Sequence, residues 1–189
     1  MNVYDFDNTI FRGDSTVRFW LYCLRTRPRT LAALPRTLVH GLRFLLGLEE
    51  KTAFKQRFFS FLAYLPDRED ALCEFWARNE PRIKDWYRRQ AAPDDLVISA
   101  SPEFLLRPVC EQLGVRLLAS RVDPDSGEYD GQNCHGAEKV RRFREQYGEA
   151  VPDRFYSDSR SDAPMAALAR ERWLVKGDRL IPWTDTEHK

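Results

Sequence analysis

The chain opens on a short apolar run, Val3-Tyr4, that leads into Asp5-Phe6-Asp7-Asn8-Thr9-Ile10. Apolar and charged positions alternate there, which predicts a strand over residues 2–7 with Asp5 and Asp7 on one face. From residue 14 to residue 92 the spacing turns helical. Residues 16–26 carry Val17, Phe19, Trp20, Leu21 and Leu24, and Pro28 ends that helix. Residues 30–48 place Leu31, Leu34, Leu38, Leu42, Leu45 and Leu46 at helical intervals, with Pro35 near the start. Residues 51–64 hold Phe54, Phe58, Phe59 and Phe61, and residues 67–92 read as a further helix or pair of helices, broken at Pro81.

After Pro93 short apolar runs at 96–99, 115–120, 154–157 and 173–175 alternate with helical stretches at 102–113, 138–147 and 163–171. That alternation predicts an α/β fold with an open parallel sheet and right-handed crossovers. Residues 121–131, with Asp125-Ser126-Gly127, read as a β-hairpin, and Asp178 as a second turn near the end. The expected organisation is a catalytic α/β core of residues 1–13 and 93–189, interrupted by a helical-bundle cap of residues 14–92.

With 189 residues, 43% hydrophobic and 13% aromatic, the chain can bury a sizeable core. A first strand beginning almost at Met1 leaves no room for a signal peptide, and no apolar run reaches the eighteen or so residues of a membrane span. Cys23, Cys73, Cys110 and Cys134 lack metal-ligand spacing and read as reduced thiols of a cytoplasmic protein. The net charge of +1 hides an asymmetry: residues 14–92 carry +6 and the remainder −5. Six arginines and no acidic residue lie between Thr16 and Leu48. A basic insertion over an acidic site points to an anionic substrate, a solvated helix face being the plainer reading.

The candidate chemistry lies at the predicted strand ends. Two like charges as close as Asp5 and Asp7 call for a cation between them, and Mg2+ favours oxygen ligands of this kind. Leu96-Val97-Ile98-Ser99-Ala100-Ser101-Pro102 is an apolar strand ending in hydroxyls, with Ser101 placed to cap the helix that follows. Lys139 opens the next helical stretch, and Tyr156-Ser157-Asp158 runs on to Asp162. An acidic pair, Ser, Lys and a second acidic pair, in that order, resembles the motif series of the haloacid dehalogenase superfamily. The insertion after the first motif resembles members with a helical cap at that point.

The resemblance implies a Mg2+-dependent phosphomonoester hydrolase with an aspartyl-phosphate intermediate. It makes Asp5 the nucleophile and Asp7 the general acid and base, with Ser99 binding phosphoryl oxygens. Lys139 offsets charge; Asp5, Asp7 and Asp158 hold the metal, and Asp162 orients the set. His40, His135 and His188 form no metal set. Phosphoserine phosphatases of the superfamily grip their amino acid with a Glu, where this chain has Asp14 near Arg18, and their Ser-Gly-Gly is Ser99-Ala100-Ser101 here.

The arginine- and leucine-rich cap and the ending Arg172-Trp173-Leu174-Val175-Lys176-Gly177-Asp178-Arg179-Leu180 loosely resemble a bacterial phosphatidylglycerophosphatase. Two readings of residues 31–48 therefore stay open: the bundle's own core, or a surface against anionic lipid. The partner is accordingly a phosphorylated small molecule or a phospholipid headgroup, the latter with peripheral membrane contact. A basic membrane- or anion-binding module without turnover is the alternative class. No nucleic-acid motif is present, and a response-regulator receiver would lack both Asp5-x-Asp7 and the insertion.

Overall fold

The computed structural model describes residues 1–47 and 58–184. Residues 51–57 of the phenylalanine-rich stretch, with Phe54, and His188 lie outside them. Six strands form one sheet: β1 (Val3–Tyr4), β2 (Leu96–Pro102), β3 (Arg116–Ser120), β4 (Arg154–Ser157), β5 (Glu171–Lys176) and β6 (Arg179–Pro182). Their order is β3-β2-β1-β4-β5-β6. The first five run parallel, and β6 returns antiparallel across Gly177-Asp178, the predicted turn.

Alternation along the central strands covers both faces of the sheet. Val3, Leu96, Ile98 and Phe155 pack on one side with Phe143, Met165 and Leu174. Tyr4, Val97 and Tyr156 pack on the other, against α5 (Glu103–Leu113). Helix α6 (Ala137–Tyr147) supplies Phe143 to the first face. Burial on both faces explains why these strands read as continuous apolar runs.

The helical insertion between β1 and β2 contains α1 (Ser15–Thr26), a 3-10 segment at Pro28–Ala33, α2 (Leu34–Leu45), a second 3-10 segment at Phe59–Tyr64, α3 (Arg68–Asn79) and the short α4 (Asp85–Arg88). Its described residues form no core apart from the sheet's. Phe19, Phe61, Phe75 and Trp76 of the insertion belong to the same buried cluster as Tyr4, Val97 and Leu106. At the junction Phe6 stacks on Phe11 at 5.6 Å, and Trp76 meets both edge-on at 5.9 and 5.6 Å. The indole Nε1 of Trp76 donates to Leu105 O of α5 at 2.7 Å. Insertion and sheet are therefore packed as one body.

Four local expectations are corrected. Strand β1 has two residues rather than six, because Ile10 N and Phe11 N both donate to Phe6 O and wind the chain into a turn. The helix expected at 163–171 is confined to α7 (Ala163–Ala166). Arg170 N and Glu171 N instead bond Pro152 O and Asp153 O, which draws the chain into β5. The hairpin expected at 121–131 is reduced to one antiparallel bridge, Val122 to Tyr129, flanked by Asp123 N to Glu128 O and Asp130 N to Arg121 O, and its turn winds around Asp123, whose carboxylate accepts from Asp125 N and Ser126 N. Gly127 there has φ +77, and a Cβ would sit 2.7 Å from Phe59 O, so only glycine fits against the insertion. Finally, Leu31, Leu38, Leu42 and Leu46 are exposed, while Ala33 and Thr37 form the buried side of that stretch.

Trp76 joins insertion and sheet, so Trp76→Ala is expected to cost about 3–5 kcal/mol of stability. Urea unfolding checks this; a loss under about 1 kcal/mol would mean the two parts pack loosely.

Candidate active site

The first acidic pair follows β1 at the centre of the sheet. Asp5 N continues the ladder to Tyr156 O at 2.8 Å, so Asp5 leaves the strand end with its backbone fixed. The next residues turn: Asn8 takes φ +56, the only positive φ outside glycine among the described residues, and its N–H donates to Gly13 O. This turn, rather than strand alternation, carries Asp5 and Asp7 to one cavity.

The cavity measures about 310 Å3 and opens at the carboxyl ends of β1, β2 and β4. The chain progresses to opposite sides of the sheet from β1, and such a switch point is where open α/β sheets bind ligands. Among the candidates, Asp5, Asp7, Asp14, Ser99, Lys139, Asp158 and Asp162 all line it; Arg18 does not. Arg18 instead lies over Gly13, where an added Cβ would come 2.7 Å from its Nε.

Lys139, in the first turn of α6, is fully buried and donates to Asp5 Oδ1 at 2.7 Å and Asp162 Oδ2 at 2.8 Å. Burial alone would lower its pKa; Asp5 and Asp162 outweigh burial and hold it above the ordinary lysine value. Asp162 also accepts from the Ser157 hydroxyl at 2.8 Å, and its other oxygen, Oδ1, is buried without a protein partner. Asp158 is pushed up to about 6, by burial first and then by Asp5 and Asp162. Thr9 ties the two acidic stretches: its hydroxyl lies 3.2 Å from Asp5 Oδ2 and accepts from Asp158 N at 2.9 Å.

Asp7 has different surroundings. It accepts from Ser15 N at 2.7 Å and from the Ser101 hydroxyl. Burial, and next the Asp14 carboxylate, push it up to about 7, against the pull of those hydrogen bonds. Ser101 is thus no helix cap: its hydroxyl is engaged by Asp7, and Pro102 precedes α5 without a side-chain cap. A register shift between Ser99 and Pro102 kinks the end of β2, and there Ser99 Oγ accepts from Ser101 N at 3.1 Å. Asp14 is the N-cap of α1, accepting from Val17 N at 2.8 Å.

Two carboxylates, Asp5 and Asp162, pair with the one ammonium and a buried Asp162 oxygen is left over, while Asp158 is joined to Asp5 through Thr9. Among the described residues no group of three or more His, Cys, Asp or Glu side chains is arranged to hold a metal ion. Asp5 and Asp158, joined through Thr9, offer two carboxylates of the oxygen type that Mg2+ takes together with several waters.

The sequence reading missed several residues here. Lys84 is buried and donates to Asn8 O and, at 2.6 Å, to Gly177 O, so it pins the turn after Asp7 to the β5–β6 hairpin. Thr16, Val17, Phe58, Phe59 and Tyr129 also line the cavity, as do His135 and Ser161. A lone lysine before Asp85, or aromatic residues at helical spacing, carry no signal of a site.

A sequence profile of the haloacid dehalogenase-like hydrolases matches residues 3–167. Protein CicA of Caulobacter vibrioides is 36% identical over 84 residues, a stretch covering 41% of this chain and 38% of CicA, so the match spans well under half of that relative. Histidinol-phosphatase of Neisseria meningitidis serogroup C is 25% identical over 93% of this chain and 90% of its own length. Among solved structures, a protein of unknown function from Bordetella pertussis Tohama I superposes with a TM-score of 0.71 at 20% identity, over 91% of this chain and 87% of that one. A probable phosphoserine phosphatase from Vibrio cholerae gives 0.62 at 13% identity, over 90% and 55%. At such identities the two structures show a shared fold.

Asn caps a helix as well as Asp does but carries no charge, so Asp14→Asn isolates the charge acting on Asp7. Removing a neighbouring negative charge favours ionised Asp7, and its pKa is expected to fall below that of the parent. Carboxyl NMR titration of the metal-free protein checks this; an unchanged midpoint would mean that Asp14 does not act on Asp7.

Proposed function

The chain belongs to the haloacid dehalogenase-like hydrolases, and on that premise we propose that it is a Mg2+-dependent phosphomonoesterase working through a phosphorylated Asp5. The observation that carries the reading is the contrast between two carboxylates on one cavity wall. Burial pushes both carboxyls up, but their partners differ: Asp5 is ion-paired to Lys139 at 2.7 Å, whereas Asp7 is held by Ser15 N and the Ser101 hydroxyl and is pushed up to about 7. A carboxylate held by a cation and a carboxyl held by neutral donors suit different roles.

Asp5, ionised, attacks phosphorus, and the P–O bond to the alcohol breaks as the Asp5 O–P bond forms. Asp7 gives its proton to the departing alkoxide. Water then attacks the acyl phosphate while Asp7 takes back a proton, releasing inorganic phosphate and free Asp5. Lys139 offsets the charge on Asp5 and the phosphoryl group, and Asp162 and Ser157 hold the ammonium in place. The Ser99 hydroxyl faces the same cavity as a phosphoryl ligand. Mg2+, held by Asp5, Asp158 and the Asp7 carbonyl, would supply Lewis-acid polarisation of the phosphoryl oxygens.

In this reading residues 1–13 and 93–189 are the catalytic core and residues 14–92 the cap that chooses the substrate. The cap gives Asp14, Thr16, Val17, Phe58 and Phe59 to the cavity wall. A volume of about 310 Å3 suits a small phosphorylated alcohol. The likeness to a histidinol-phosphatase over 93% of the chain supports the same substrate class.

Asp5→Asn is expected to lower phosphate release on the order of 10^3-fold or more, with the fold intact by circular dichroism. EDTA should stop the parent enzyme and added Mg2+ restore it, across a panel of sugar phosphates, phosphoserine and histidinol phosphate. Turnover that survives Asp5→Asn would overturn the mechanism.

A further inference from the structure

Helix α2 presents an apolar face that its surroundings leave bare. Leu38, Val39, Leu42 and Leu46 are 65, 57, 60 and 64% exposed. At about 100° per residue they fall with Pro35 within an arc of about 100°, and Arg43 follows at its edge. Leu46 still belongs to that face, since its N–H donates to Leu42 O at 3.0 Å. Thr37 and Ala33 make the opposite, buried side. Four large aliphatic side chains standing together in water mark a contact surface, since isolated ones are ordinary and grouped ones are not.

The charge around this face selects the partner. Residues 16–48 contain six arginines and no carboxylate. Arg27 is already matched by Asp67 at 2.6 Å and Glu74 at 3.1 Å. Arg25 and Arg29 are exposed. An aliphatic face within an arginine-rich segment that lacks carboxylates has the composition of a helix lying in a lipid interface, with leucines among the acyl chains and guanidinium groups at anionic headgroups. At 12 residues the helix cannot span a bilayer, and no described helix is long and apolar enough to do so.

A second copy of the chain fits less well. A two-fold interface would bring the same basic border against itself, setting like charges together. Nucleic acid would match the arginines but would gain nothing from the leucines.

We propose that the exposed face of α2 docks this hydrolase on the surface of an anionic membrane, with Leu38, Leu42 and Leu46 inserted and the arginine-rich segment, through Arg25 and Arg29, meeting the headgroups. Docking requires no turnover, so it stands or falls separately from the catalytic reading. It would hold the enzyme at the membrane surface.

The test is co-sedimentation of the full chain with vesicles of phosphatidylcholine and phosphatidylglycerol, beside vesicles of phosphatidylcholine alone. Binding is expected to the mixed vesicles, to weaken as salt rises, and to fall about tenfold or more in Leu42→Glu. Because Leu42 faces solvent, that variant should keep the parent's melting temperature and its phosphate release from a soluble ester. Light scattering on the free proteins completes the test. Absence of vesicle binding, equal binding to both compositions, or binding unchanged in Leu42→Glu would overturn the proposal. So would a parent dimer that Leu42→Glu turns into a monomer, which would make the face a contact between copies.

Discussion

One buried ammonium organises this molecule's site. Lys139 comes from the start of α6, Asp5 from the end of β1 and Asp162 from beyond β4, and all three meet within 2.8 Å contacts. An unpaired charge so deeply buried would cost several kcal/mol, and removing one partner of a buried pair costs about 3–5 kcal/mol. The three segments are therefore held to each other by an electrostatic requirement as well as by the sheet. With Asp158 alongside, negative charge exceeds positive, and a divalent cation would offset the excess. Folding and chemistry thus draw on the same cluster: the carboxylate that needs Lys139 for burial is the one aimed into the cavity.

The second constraint is the turn that follows Asp5. It bends the chain at Phe6, gives Asn8 a left-handed conformation and presents Asp7 beside Asp5. Three things fix it: the buried ring of Phe6 against Phe11 and Trp76, Thr9 between the acidic stretches, and Lys84 on the Asn8 carbonyl. The insertion takes part in this, because Trp76 and Lys84 lie within it. Its inner surface completes the core and the cavity wall, while its outer surface, on α2, carries the leucines that the interior does not use.

Much of this was legible beforehand, and for identifiable reasons. Strands β2, β4 and β5 announce themselves because burial on both faces demands unbroken apolar runs, and the candidate carboxylates, serine and lysine follow from their order along the chain. What stayed hidden depends on contacts distant in sequence. Ser101 reads as a cap because serine before a helix usually is one; only the approach of Asp7, 94 positions away, claims its hydroxyl. Lys84 reads as a surface lysine until two backbone carbonyls close around it. The leucines of α2 show helical spacing whether they face a core or the outside, so periodicity alone left both readings open. The two-residue β1 was overextended because alternation continues past the point where Phe6 turns the chain.

The central claim is that Asp5 becomes covalently phosphorylated and that Asp7 serves the water that releases it. The most direct measurement is acid quench and peptide mass spectrometry during turnover of an activated aryl phosphate, whose leaving group needs no proton. Phosphoryl mass on the Asp5 peptide, accumulating to higher occupancy in Asp7→Asn than in the parent, is the predicted result. Turnover with no phosphoryl group on Asp5, or with the group on another residue, would contradict the account.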